Sequence, residues 1–239
     1  ILLTMATGTG KTFVAFQIVW KLVKSGWLHH RSGQPARVLF LADRVVLRDQ
    51  AYNAFSAFSS SQSDPRFLID GQKKLSLNRD LYFAIYQSLW NDDNKGKRLF
   101  EQFPEDFFDL IIIDECHRSG FGTWKEILDR FSSAIQLGMT ATPKQEESVD
   151  TYQYFCQEEP VIPADPQDAC KGEIHPPAYT YSLGQGIDDG FLATYKVHRI
   201  YSDVDKNGLN IQEAIERGAD IIIPEGVDLR PNYFTQNFE

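Results

Sequence analysis

Over its first 143 positions the chain alternates between two hydrophobic patterns. Short runs of consecutive apolar residues, the mark of strands buried on both faces, predict strands at Ile1 to Thr4, Val38 to Ala42, Leu81 to Ile85, Leu110 to Asp114 and Ile135 to Thr140. Between the first two, Val14, Ile18 and Leu22 recur at intervals of four beside Ala15, Val19 and Val23, and Gly26 follows as a stop, which predicts a helix with one apolar side. Leu47, Ala51, Phe55 and Phe58 predict a second helix ending in the polar Ser59 to Ser63 stretch. Thr123 and Glu126 have capping-box spacing ahead of Ile127, Leu128 and Phe131, which predicts a third. Continuous apolar strands alternating with helices imply an α/β fold, a mainly parallel sheet with helices on both faces.

Past Pro143 the pattern weakens. Residues 157–178 hold five of the eleven prolines with scattered acids, which predicts a long surface loop. Tyr195 to Val204 predicts one more strand, and Ile221 to Ile223 before Pro224 is too short to assign. The expected organisation is a lobe at 1–145, a Pro-rich insertion at 146–178 and a connecting segment at 179–239. The first strand begins at Ile1 without a lead-in and the last residues carry no helix stop signal, so both ends are expected to be cuts through a longer polypeptide.

Composition narrows the function classes. A chain of 239 residues, 42% hydrophobic, suffices for one α/β core and a smaller appended segment. Its 24 basic and 33 acidic residues give a net charge of −9, which excludes a protein-wide basic footprint for nucleic acid and leaves local backbone contacts open. Cys116, Cys156 and Cys170 form no CxxC pair and leave one over in any disulfide scheme, so they are expected as buried packing in a reducing compartment. His29, His30, His175 and His198 show no metal-ligand spacing with the cysteines, and no zinc site is expected. No apolar run approaches the ~20 residues of a membrane helix, and the start lacks a signal-peptide pattern. The expectation is a cytoplasmic protein with no membrane partner.

Three segments carry chemistry. Met5-Ala6-Thr7-Gly8-Thr9-Gly10-Lys11-Thr12 follows a strand and opens a helix, the setting of a phosphate-binding loop. Gly8 and Gly10 let the backbone wrap closely so that amides from Thr7 to Thr12 face phosphate oxygens; Lys11 would reach the β- and γ-phosphates and Thr12 would hold Mg²⁺. Met5 stands where the general GxxxxGK[ST] pattern has its first glycine. Leu110 to Asp114 is an apolar strand ending in Asp114-Glu115, two acids at a strand C-terminus, where open α/β sheets bind ligands. Asp114 is a candidate Mg²⁺ ligand and Glu115 a candidate base for an attacking water. Gly138 to Pro143 ends another strand with Thr140 and Thr142, which could hydrogen-bond toward the acidic pair or form a plain threonine-rich turn.

In this order MATGTGKT, DECH and TATP resemble motifs I, II and III of superfamily 2 DEAD/DEAH-type helicases. Val38 to Arg44 resembles motif Ia and Ala84 to Leu89 motif Ib. The resemblance implies a RecA-like P-loop NTPase lobe using ATP and Mg²⁺, with catalysis by Lys11, Asp114 and Glu115 and coupling of hydrolysis to movement through His117, Thr140 and Thr142. It also makes Arg44 and Gln87 nucleic-acid contact candidates, although Arg44 reads equally as a surface charge at a helix start. A narrower resemblance is to the motor (R) subunit of type I restriction enzymes, carried by FLADR at residues 40–44, DECHRS at 114–119 and YTYSLGQGIDDGFLATYKV at 179–197. That implies an ATP-dependent translocase on double-stranded DNA, with methyltransferase and specificity subunits as partners, and a second RecA-like lobe and a nuclease domain elsewhere. The insertion near 157–178 and Cys156, where a glycine is expected, depart from that pattern. A DNA-repair or RNA helicase and a nucleotide-binding scaffold without motor action are the alternatives.

Overall fold

The computed structural model describes residues 1–30, 33–70, 75–91, 98–118, 125–143, 145–146, 149–156, 175–196, 209–218 and 232–233. Two compact units are formed, Ile1–Ala193 and Thr194–Glu239. The first is built on a seven-stranded parallel sheet made of β1 (Leu2–Met5), β2 (Val38–Ala42), β3 (Arg66–Ile69), β4 (Leu81–Ile85), β5 (Leu110–Asp114), β6 (Ile135–Thr140) and β9 (Tyr179–Tyr181). Their order across the sheet is β3-β4-β2-β5-β6-β1-β9, with every pairing parallel. Between β6 and β9 come a short antiparallel pair, β7 (Gln145–Glu146) with β8 (Val149–Asp150), and the helix α5 (Thr151–Cys156). All five expected strands are present, and this is the expected RecA-like α/β architecture.

Alternate residues of the strands feed two cores. Leu39, Leu41, Tyr82, Ala84, Ile111 and Ile113 lie in one, under Phe103, Phe108 and Phe131 and the helix α4 (Lys125–Arg130). Val38, Phe40, Phe83 and Ile112 lie in the other, under α1 (Lys11–Lys24) and α2 (Val45–Ala54). β2 and β5 are buried at every position, which is why they read as continuous apolar runs rather than alternating ones. Aromatic edge-to-face contacts tie the layers together, as between Tyr82 of β4 and Phe108 with ring centres 5.5 Å apart and planes at 78°.

Several details differ from the sequence reading. The second helix stops at Ala54 and a 3₁₀ turn, Phe55–Phe58, carries the last two apolar positions. A helix at Lys125–Arg130 matches the third, while its expected cap at Thr123 lies outside the described residues. β3 is an addition, and so is a short helix, α3 (Tyr86–Trp90). Where the sequence suggests a connecting segment from residue 179, the chain instead completes the lobe: Tyr179, Thr180 and Tyr181 pair with Leu3, Thr4 and Met5, and Thr4 Oγ1 donates to Thr180 Oγ1 at 2.8 Å. The helix α6 (Leu183–Asp188) follows directly. Residues 157–174, most of the Pro-rich stretch, with Val197 to Val204 of the expected strand and Ile221 to Ile223, lie outside the described residues, and Tyr195 and Lys196 are not in a strand. In the second unit a helix at Ile211–Glu216 is capped by Asn210, whose side chain accepts from the amide of Glu213 at 3.1 Å.

Candidate active site

Parallel strands all end on one edge, so the loops after β1, β5 and β6 converge there. After β1 the chain turns through Ala6 to Gly10 into α1, with Gly8 at φ +85° and Gly10 at φ +84°. Both values lie in the left-handed region, so a side chain at either position would be strained. Gly10 is the N-cap of α1 and supplies no side-chain cap, leaving the first-turn amides available to an anion. Thr9 Oγ1 donates inward to the carbonyl of Ala6 at 2.6 Å, and Thr7 and Gly8 are exposed.

Lys11 turns back toward the sheet. Its Nζ donates to the carbonyl of Met5 at 3.4 Å and stands 3.8 Å from Glu115 Oε1, with only 9% of its side chain exposed. Asp114, the last residue of β5, is 4% exposed and accepts the amide of Glu115 on Oδ1 at 3.1 Å. Burial first, and then the neighbouring Glu115 charge, push its carboxyl up to about 6 against the pull of Lys11. Desolvation thus disfavours its ionised form, which a nearby positive charge would favour. Glu115 itself sits at φ +50°, the one non-glycine residue among those described in the left-handed region, and such strain collects at functional positions.

His117 and Thr140 close the third side. His117 Nδ1 lies 2.8 Å from Thr140 Oγ1 and 3.4 Å from Glu115 Oε2, and Thr140 Oγ1 also accepts the amide of Thr142 at 3.1 Å. Thr140 is fully buried, and one hydroxyl therefore links the end of β6 to the end of β5. Below it Cys116 packs against Gly138, its thiol pushed up by burial. Cys116 and Cys156 are buried, as expected of packing cysteines, whereas Cys170 lies outside the described residues.

A cleft of about 510 Å³ is lined by Thr7, Asp43, Arg44, Glu115, His117 and Thr142, while Lys11, Asp114 and Thr140 lie outside that lining. The expected residues thus come together: Lys11, Asp114, Glu115, His117 and Thr140 through direct contacts, and Thr7 and Thr142 through the cleft wall. Thr12 lies in the first turn of α1, beside Lys11. The donor set suits a magnesium-bound polyphosphate, because loop amides, the Lys11 ammonium and the Thr12 hydroxyl come from the start of α1 and two carboxylates from the end of β5. Arg44, 67% exposed in its side chain, and the exposed Gln87 leave neighbouring strands, since Ala42 pairs with Ile85. Both therefore open on the same edge as the cleft.

Two features escape the sequence reading. Asp43, 6% exposed in its side chain, joins Glu115 as a second carboxylate in the cleft wall and sits 3.5 Å from Arg44 Nε; its acidic type was visible, its burial was not. The stretch from Tyr181 to Leu192 lies against the phosphate loop, with the amide of Ala6 donating to the carbonyl of Tyr181 at 2.9 Å. A second cleft of about 550 Å³, mostly apolar, opens between Ala6, Thr7, Pro143, Tyr152, Tyr181 and Leu183. No helix among the described residues is long and apolar enough to cross a membrane.

The chain is similar to several known proteins. Residues 1–145 match the family described as type III restriction enzyme, res subunit. The chain is 42% identical over 212 residues to the type I restriction enzyme EcoAI endonuclease subunit of Escherichia coli, a match covering 87% of this chain and 22% of that protein. It is 29% identical over 215 residues to the EcoKI endonuclease subunit of E. coli strain K12, covering 80% and 16%. Among solved structures, a fragment of an inferred HsdR subunit of a type I restriction enzyme from Vibrio vulnificus YJ016 is 45% identical, covers 90% of this chain and 32% of that one, and superposes with a TM-score of 0.59. The chain thus spans about a fifth of the length of the curated relatives it matches.

Proposed function

The chain belongs to the type III restriction enzyme, res subunit family, a helicase-type family, and from that membership we propose that it is the ATP-binding lobe of an ATP-dependent translocase acting on double-stranded DNA as the motor of a type I restriction system. The observation that carries the reading is the meeting of Lys11 with Glu115, 3.8 Å apart, beside a buried Asp114 whose carboxyl is raised to about 6. A lysine, a general base and a metal-binding carboxylate at the mouth of a glycine-shaped loop are the parts phosphoryl transfer requires.

In this reading the amides from Thr7 to Thr12 cradle the β- and γ-phosphates, and Lys11 exchanges its contact with Glu115 for phosphate oxygen. Thr12 and Asp114 would hold the magnesium ion. Bound together, ATP supplies the transferable γ-phosphoryl group and the metal neutralises the charge on its oxygens. Glu115, released from Lys11, orients a water and takes its proton at Oε1 or Oε2. His117, held by Thr140 and close to Glu115, senses whether the base is engaged and passes that state through the Thr140 hydroxyl to Thr142. Arg44 and Gln87 contact the DNA backbone, where a few donors at releasable strength serve a moving protein better than a basic surface. An arginine finger from a second RecA-like lobe would add about 10³ to 10⁵ in rate, so the chain by itself binds nucleotide and turns it over slowly. Methyltransferase and specificity subunits would select the DNA, in the cytoplasm.

The test uses the full-length protein with duplex DNA. Glu115→Gln should retain ATP binding within about threefold and lose stimulated hydrolysis by more than about 10²; Lys11→Ala should lose binding itself. A Glu115→Gln protein that still hydrolyses ATP at the parent rate would refute the assignment. A scaffold without motor action would show no DNA-stimulated hydrolysis at the outset.

A further inference from the structure

The chain that follows β9 returns beside the phosphate loop, where the amide of Ala6 donates to the carbonyl of Tyr181 at 2.9 Å, and is braced within itself at several points. Ser182 caps α6, accepting the amide of Gln185 at 3.2 Å while the Gln185 side-chain oxygen accepts the amide of Ser182 at 2.8 Å. Tyr181 donates its hydroxyl to Asp189 Oδ2 at 2.6 Å, and the amide of Leu192 donates back to the carbonyl of Gly186 at 2.8 Å. The Leu192 side chain is thereby set against the middle of the loop. A methyl built on Gly8 would lie 3.2 Å from Leu192 Cδ2. One built on Gly186 would lie 2.7 Å from Leu192 Cδ1, a clash, and 3.4 Å from Thr9 Cγ2, an ordinary contact.

Glycines lose the most conformational freedom on ordering, so a loop with two of them in the left-handed region gains most from an outside support. We propose that Leu192 is a positioning residue for the phosphate loop: it buttresses the loop at Gly8, through the gap that Gly186 leaves beside Thr9, so that the loop amides are arranged before a nucleoside triphosphate arrives. This rests on the reading of that loop as the ATP site. Because a bound triphosphate imposes the same arrangement on the amides, loss of the buttress falls on affinity and leaves turnover at saturation little changed. Leu192 lies two residues before Thr194, where the second compact unit begins, so the support for the loop comes from the stretch that leads out of the lobe.

The test is nucleotide binding and DNA-stimulated ATPase of the full-length protein in six forms: parent, Leu192→Ala, Leu192→Met, Gly186→Ala, the Leu192→Ala/Gly186→Ala double variant, and Lys11→Ala. Leu192→Ala and Gly186→Ala should each raise the Kd for Mg·ATP about tenfold with kcat within about twofold, and Leu192→Met should restore parent affinity. The double variant should bind more tightly than either single one, because the methyl added by Gly186→Ala would touch Thr9 once Leu192 is trimmed; a role in fold stability alone makes the double variant the weakest of the three. If Lys11→Ala weakens binding and Leu192→Ala does not, the buttress is wrong and the ATP site stands. If Lys11→Ala binds ATP as well as the parent, both fall.

Discussion

Replacing Asp114 with asparagine should make the nucleotide-free chain more stable while damaging its site. Burial, reinforced by Glu115, moves the Asp114 carboxyl from an ordinary 3.8 to about 6. A raised folded-state pKa means that the protonated form favours folding: that contribution is complete below pH 4 and is lost as the pH climbs through about 6. At about 1.4 kcal/mol per pH unit, the ionised carboxylate costs the fold about 3 kcal/mol at pH 7.5 and about 0.5 kcal/mol at pH 4. Asparagine keeps an acceptor for the Glu115 amide, now at 3.1 Å from Oδ1, and its buried NH₂ returns about 1 kcal/mol. The net expectation is a gain of about 2 kcal/mol at pH 7.5 that vanishes near pH 4. Urea denaturation of parent and variant at both pH values measures it. An Asp114→Asn chain less stable than its parent at pH 7.5, or equally stabilised at both, would refute the reasoning.

Other outcomes follow from the packing and the hydrogen bonds. Gly138→Ala would bring a methyl to 2.9 Å from Cys116 Sγ and from the Phe155 ring, and should cost about 1 to 3 kcal/mol, seen as a lowered Tm in calorimetry. Asp109→Ala removes the acceptor of the Arg37 amide at 2.8 Å and the partner of His30 Nδ1 at 3.0 Å; a loss of about 2 to 3 kcal/mol in urea denaturation is expected. Thr140→Val removes the hydroxyl shared by His117 and the Thr142 amide. In the full-length protein it should leave ATP affinity within about twofold and lower DNA-stimulated turnover about tenfold, the worth of one good hydrogen bond.

Much of this was legible in the residues because burial on both faces writes strands as unbroken apolar runs. Leu110 to Asp114 and Val38 to Ala42 have the same bounds in sequence and structure. The phosphate loop was legible because its glycines answer a backbone demand, and the acid pair because it ends a strand. β3 was hidden: Arg66-Phe67-Leu68-Ile69 is four residues long, and only Ile69 is buried. β9 was hidden differently, since Tyr179 and Thr180 are exposed and the strand exists through its ladder with β1, far away in the sequence. The role of Leu192 was beyond reach for the same reason, because a lone leucine after Gly-Phe has no period to announce what it touches. Local pattern reports what neighbours in sequence do; these features depend on pairing across the fold.

In the proposed function Lys11, Asp114 and Glu115 share one magnesium-bound triphosphate. Determining the structure of the full-length protein with Mg²⁺ and a non-hydrolysable ATP analogue tests it most directly. Phosphates should lie against the amides of Gly8 to Thr12, with Lys11 moved from Glu115 onto phosphate oxygen and the metal between Thr12 and Asp114. An analogue bound elsewhere, with Lys11 still facing Glu115, would contradict it.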